Sequence, residues 1–248
     1  MFVTASTECF PGMPLEGCLQ RLVDLEYTSV EIAIHENGPG LKPSEVTADL
    51  DRAVALCRDT QRLTPAAYSL DITPGDDYYK QFAVCCKLAK ATKVVAIVVP
   101  GAELGTPFNA EIERLRELVK IASQDGILVG VKTEVGKITQ DPETAVVLCN
   151  NVKGLGITLD PSHFICGPHK GGGYDQVLKH VTHVHLRDTK KDAFQVRVGQ
   201  GEIEYGRLIT QLSMVNYNRA LSVYITPMEG VDHVGELRKM RLLLESLL

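Results

Sequence analysis

The sequence holds seven cysteines but no Cys-x-x-Cys pair and no Cys/His spacing of the metal-module kind. A thiolate zinc site or dithiol redox motif therefore has no basis. No apolar run approaches the ~20 residues that cross a bilayer, so no membrane partner is expected. The start, Met1-Phe-Val-Thr-Ala-Ser6, lacks the basic segment and long apolar core of a signal peptide, and a reduced, cytoplasmic protein is expected. Basic excess is missing too. The formal net charge is −5, which argues against a nucleic-acid partner while leaving room for one local basic pocket.

What is present is ordinary globular material, 44% hydrophobic and 23% charged over 248 residues. With no low-complexity linker in the chain, residues 1–248 are expected to form one domain. Short runs of strand period alternate with helical patterns. The strands are expected at Phe2–Ser6, Ser29–His35, Ala66–Ile72, Lys93–Val99, Ile127–Glu134, 154–160, Thr182–Arg187 and Ala220–Thr226. Helical spacing is read at Leu15–Leu25, Val46–Arg62, Asp76–Lys90, Pro107–Gln124, Asp141–Leu148, Tyr174–His180, Tyr205–Val215 and Val234–Leu247. Eight strands alternating with eight helices is the count of a parallel (β/α)8 TIM barrel. The open doubly wound sheet usually has a glycine-rich turn after its first strand, and Ser6-Thr-Glu-Cys-Phe-Pro11 is not one.

In each strand the continuously apolar side should meet the helices, sending the other side into the barrel. That rule points His35, Asp71, Lys132, Glu134, Asp160, His183, His185, Arg187, Tyr224 and Thr226 inward, near the strands' carboxyl ends. Glu134, Asp160 and His185 then form an oxygen/nitrogen set suited to Mn, Mg, Co or Zn. The alternative is a salt-bridged network with Lys132 between Glu134 and Asp160 and no metal. His163, in the turn beyond Asp160, is either a proton carrier or a capping residue. His183 reads as a satisfied core histidine, and Arg187 as a contact for an anionic group. His35, Asp71, Lys132 and Tyr224 are the further candidates for substrate contact. Lys190 and Lys191 read as a solvated loop balanced by Asp188 and Asp192. Gly171-Gly-Gly173 could hinge a lid or simply form a flexible loop.

Three motifs in order, Thr158-Leu-Asp-Pro-Ser-His163, His183-Val-His-Leu-Arg-Asp188 and Gly199-Gln-Gly-Glu-Ile-Glu-Tyr205, resemble the sugar phosphate isomerase/epimerase superfamily of xylose-isomerase-like barrels. The resemblance implies a divalent metal held by Glu, Asp, His and Glu from strands five to eight, and substrates that are sugars, sugar phosphates or keto acids. Asp160 and His185 match the metal-binding Asp and His, and His163 the substrate-facing histidine. Lys132 stands where the first Glu is expected and Tyr224 where the second is, with Glu134 one pleat away and Glu229 in the following loop. The expected activity is metal-assisted proton transfer by Glu134 and His163 on a small polyhydroxy or keto-acid substrate. A metal-free barrel that binds a ligand, or forms a Schiff base through Lys132, is the competing expectation. A homo-oligomer is compatible with either.

Overall fold

Alternation becomes a closed cylinder because each strand has one side that must leave water. The computed structural model describes residues 1–169 and 172–248, so Gly171 of the expected hinge lies outside the described residues. The strands are β1 (Phe2–Ser6), β2 (Ser29–His35), β3 (Thr64–Asp71), β4 (Ala96–Val99), β5 (Leu128–Lys132), β6 (Leu155–Leu159), β7 (Val181–Leu186) and β8 (Ala220–Val223). They pair in chain order, all parallel, and β1 closes onto β8 with Phe2 opposite Ala220 and Ala5 opposite Val223. This is the (β/α)8 TIM barrel.

Val30, Ile32 and Ile34 of β2, and Val129 and Val131 of β5, are buried as the helix-facing side predicts. Helices α1 (Leu15–Asp24), α2 (Pro43–Ala48), α3 (Leu50–Arg58), α4 (Tyr78–Ala91), α5 (Phe108–Ser123), α6 (Pro142–Asn151), α7 (Pro161–Ile165), α8 (Tyr205–Met214) and α9 (His233–Glu245) connect the strands or close the chain. Phe82, Leu115, Leu118, Leu148, Leu212 and Leu237 on these helices are completely buried. Each contributes roughly 1.5–3 kcal/mol by leaving water. Inside the barrel two strand glycines make room: a Cβ at Gly130 or Gly156 would collide with Thr182, whose side chain fills that level.

Several elements differ from the sequence expectation, among them the strands expected to run to Glu134 and Thr226, which end at Lys132 and Val223, and the unexpected short helix α7. The helix expected over Val46–Arg62 is two helices, because Asp49 leaves helical geometry (φ −148°, ψ 87°) and its carboxylate accepts from Arg52 N at 2.9 Å. An aspartate that caps one helix necessarily ends the previous one. The strand expected from Lys93 begins only at Ala96, since Lys93 sits at φ +62° and Val95 is exposed. Tyr174–His180 winds as a tighter 3-10 turn over Asp175–His180.

Candidate active site at the barrel mouth

Asp160 ends β6 and caps α7. Its Oδ1 accepts from Ser162 N at 3.0 Å, and Pro161 occupies the first helical position, where no N–H is needed. The side chain is completely buried, and the Arg187 guanidinium donates to Oδ2 at 2.8 Å. Burial alone would push this carboxyl up, but Arg187 and then His163 bring it down to about 2. The guanidinium lies between the rings of Phe194 and Tyr224, at 4.7 and 4.8 Å. His163 is buried as well: its Nδ1 accepts from Val135 N at 3.0 Å, and Nε2 lies 3.7 Å from Asp160. Burial holds its pKa down at about 4, so the ring is neutral at pH 7.

A second buried group crosses the barrel. Glu31 of β2 shares its strand face with His35, and its carboxylate meets Nε2 of both His183 and His185 from β7; the His185 contacts are 2.9 and 3.0 Å. Burial opposes this carboxylate's charge, yet the two imidazoles hold its pKa well below the usual range. His183 is pushed down by burial, against the pull of Glu31. It is the satisfied core histidine that its depth in the strand suggested. His185 stacks on Tyr224 with centroids 4.5 Å apart, and its Nδ1 has no partner among the described residues.

The open part of the mouth is a cavity of about 790 Å³. Glu8, His35, Ser69, Asp71, Lys132, Glu134 and Tyr224 line it, so five of the expected side chains come together here. Asp160, His163, His185 and Arg187 do not reach it. Contacts on its β1–β3 wall are loose: Ser69 Oγ to Glu8 at 3.3 Å, His35 Nε2 to Ser69 at 3.4 Å and His35 Nδ1 to Glu8 at 3.7 Å. Lys132 Nζ donates to the Tyr224 hydroxyl at 3.4 Å and lies 4.7 Å from the ring centroid. Burial, and then the Glu8 carboxylate, hold the Tyr224 phenol well above its ordinary pKa, so it is protonated. Among the described residues Lys132 has no carboxylate within ion-pair distance, and the Asp71 and Glu134 side chains accept no hydrogen bond. The other cations at the wall are occupied, Arg114 by Glu111, Tyr78 and Pro100 O, and Lys137 by Glu103.

Three residues of this region escaped the sequence reading. Glu8 follows β1 in a one-turn helix capped by Ser6, outside any strand face. Ser69 lies on the same side of β3 as Asp71. Glu31 could have been found, because it alternates with His35 on the inward side of β2. Asp188 also differs from expectation. Its buried Oδ2 accepts from Gly199 N at 2.8 Å and Gly201 N at 2.9 Å instead of balancing the neighbouring lysines. That explains the paired glycines: Gly199 holds φ +87°, and a Cβ at Gly201 would collide with the carboxylate.

The donor chemistry at the expected metal position does not fit a divalent cation. Asp160 is neutralised by Arg187, His185 Nε2 is committed to Glu31, and Lys132 and Tyr224 stand where carboxylates were wanted. A second positive charge within ~4 Å of an ammonium costs about 4 kcal/mol per unit charge at an effective dielectric of ~20. Among the described residues, the set whose ligand-type atoms lie within 4.8 Å of one another is instead Glu31, His183 and His185, a donor set able to hold a metal ion. It is fully buried and does not line the cavity.

A family model described as xylose isomerase-like TIM barrel matches residues 19–241. No curated protein sequence matches the chain. Among solved structures, 3-keto-D-glucoside 4-epimerase from E. coli is 16% identical, with TM-score 0.75 over 99% of both chains. D-allulose 3-epimerase from Methylomonas sp. is 12% identical, with TM-score 0.76 over 100% of this chain and 98% of that one. A xylose isomerase-like TIM barrel protein from Mycobacterium smegmatis, in complex with magnesium, is 15% identical, with TM-score 0.77 over 99% and 95%. At such identities the likeness is one of fold.

Proposed function

The chain belongs to the xylose isomerase-like TIM barrel family, and on that premise we propose that its mouth is an isomerase or epimerase site for a small polyhydroxylated carbonyl compound. One observation carries this reading: besides Glu103, which is paired with Lys137, the cavity offers the carboxylates of Glu8, Asp71 and Glu134 around Lys132, an ammonium with no carboxylate partner among the described residues. Carboxylates accept from sugar hydroxyls, and an ammonium donates to a carbonyl oxygen. The epimerases among the structural neighbours agree with it. Because Arg114 and Lys137 are already occupied, the cavity has little cationic capacity for a phosphate. An unphosphorylated sugar suits it better than a sugar phosphate.

Shifting a carbonyl or inverting a neighbouring centre requires removal of the proton on the carbon beside the carbonyl. Glu134 leaves the end of β5 and Glu8 the end of β1. In a closed eight-stranded cylinder those strands are four apart by either route, so the two carboxylates approach a ligand from opposite sides. A base on one face and an acid on the other is what inversion requires. His163 has a positioning role in this reading, since by accepting from Val135 N it fixes the segment that carries Glu134. No step passes through a metal.

The test is proton exchange. D-Allulose and D-fructose in deuterated water should take up deuterium beside the carbonyl, followed by NMR. Glu134→Gln and Glu8→Gln should each slow uptake by about 10²–10⁴-fold. Absence of both exchange and binding across a panel of ketoses would sink the proposal.

A further inference from the structure

We propose that Lys132 supplies, from within the chain, the positive charge that stabilises the substrate's developing oxyanion, so that the site works without a catalytic divalent ion. This deepens the function proposed above and rests on it. Three observations converge. Lys132 Nζ reaches a cavity that has room for a sugar and holds no neutralising carboxylate against it; its near partner is a phenol at 3.4 Å. Arg187 consumes the one carboxylate, Asp160, that β6 contributes. Tyr224 covers His185, 4.5 Å away and nearly parallel at 16°, so the imidazole faces a ring and not the ligand. The place expected for a metal therefore carries two fixed cations and an aromatic plate.

The chemistry balances without any added reagent. Glu134 takes the proton from the carbon beside the carbonyl and becomes a carboxylic acid. The electron pair of that C–H bond forms the carbon–carbon double bond of an enediolate. The carbonyl π pair moves to oxygen, where Lys132 donates a hydrogen bond to it. Glu8 takes up a proton from solvent and delivers it to the opposite face as the double bond collapses and the carbonyl re-forms. Solvent exchange then resets both carboxyls. Tyr224 keeps its proton and holds the Lys132 head group in place. A preorganised donor of this kind is worth about 10²–10³-fold in kcat.

The test uses the whole protein, stripped with a chelator, with metal content checked by mass spectrometry. Stripped protein should exchange deuterium into D-allulose as fast as the untreated sample. Lys132→Met, which keeps the apolar stem, should lower kcat by about 10²–10³-fold with KM little changed and an unaltered melting curve; Lys132→Arg should recover part of the loss. Loss of exchange on stripping with return on adding Mn²⁺, or normal exchange in Lys132→Met, overturns the proposal. A second measurement needs no turnover. Mn²⁺ titrated into wild type should bind no more tightly than to Asp160→Asn, any binding at the buried Glu31, His183 and His185 set being common to both, and the Lys132→Glu/Tyr224→Glu double variant should gain Mn²⁺ affinity. Binding by wild type that Asp160→Asn abolishes overturns it as well. If no ketose exchanges in any state of the protein, the proposed function falls, and the Mn²⁺ titration alone then decides for or against the lysine.

Discussion

The barrel mouth has a sealed side and an open side, built from the same kinds of residue. On the sealed side Asp160, Arg187, Glu31, His183 and His185 are buried, with Arg187 on Asp160 and His185 on Glu31 at 2.8–3.0 Å and His183 also on Glu31. On the open side Glu8, His35, Ser69 and Lys132 touch at 3.3–3.7 Å and face the cavity. Charge alone does not mark a working residue: a carboxylate whose lone pairs are already used is structural, and one left unsatisfied at a cavity wall is free for a ligand. The sealed side should therefore report in stability, and the open side in binding and rate.

The largest effect is expected from Arg187→Met, which leaves Asp160 buried without its counter-charge. Denaturant unfolding should show a loss of about 3–5 kcal/mol. A loss below ~1 kcal/mol would mean that the sealed side is not held by this pair.

Acid should act on the same side. His163 is held at about 4 against an ordinary 6.5, so between those pH values the unfolded chain binds more protons and stability falls as pH drops. That depression corresponds to at most about 3 kcal/mol. Asp160, held at about 2 against 3.8, contributes stability at neutral pH that is lost as pH falls through that lower range. Unfolding free energy measured against pH should lose part of its slope between pH 4 and 6.5 in His163→Gln, the remainder belonging to histidines such as His183 that burial also pushes down. Glu31→Gln removes the charge but keeps an acceptor, and about 1–3 kcal/mol of stability should go with it. Smallest in stability is Glu8→Gln on the open side, within about 0.5 kcal/mol, while ligand exchange drops steeply. Equal stability losses for Glu8→Gln and Glu31→Gln would erase the contrast between the two sides.

How far the site could be read follows from how each residue is placed. Strand alternation was enough to send His35, Asp71 and Lys132 to one cavity, because side-chain direction along a strand is a local property with period two, whereas Glu134 and Tyr224 reach it from just beyond the ends of β5 and β8. Glu31 obeys the same rule, alternating with His35 deeper on the inward side of β2. Glu8 could not be found that way: it follows β1 in a capped turn, where no periodicity operates. The pairing of Asp160 with Arg187 was also out of reach, since it depends on how far a guanidinium extends across two strands.

By itself the sequence determined most of each strand, its apolar side, the barrel and many of the polar groups inside it. These follow from burial and backbone geometry, which act over a few residues at a time. Only the tertiary structure decided which of those groups neutralise one another and which face the cavity. That choice is made by distances of 3–4 Å between strands far apart in the chain, and an ion pair at that range removes a carboxylate from chemistry as surely as a substitution would.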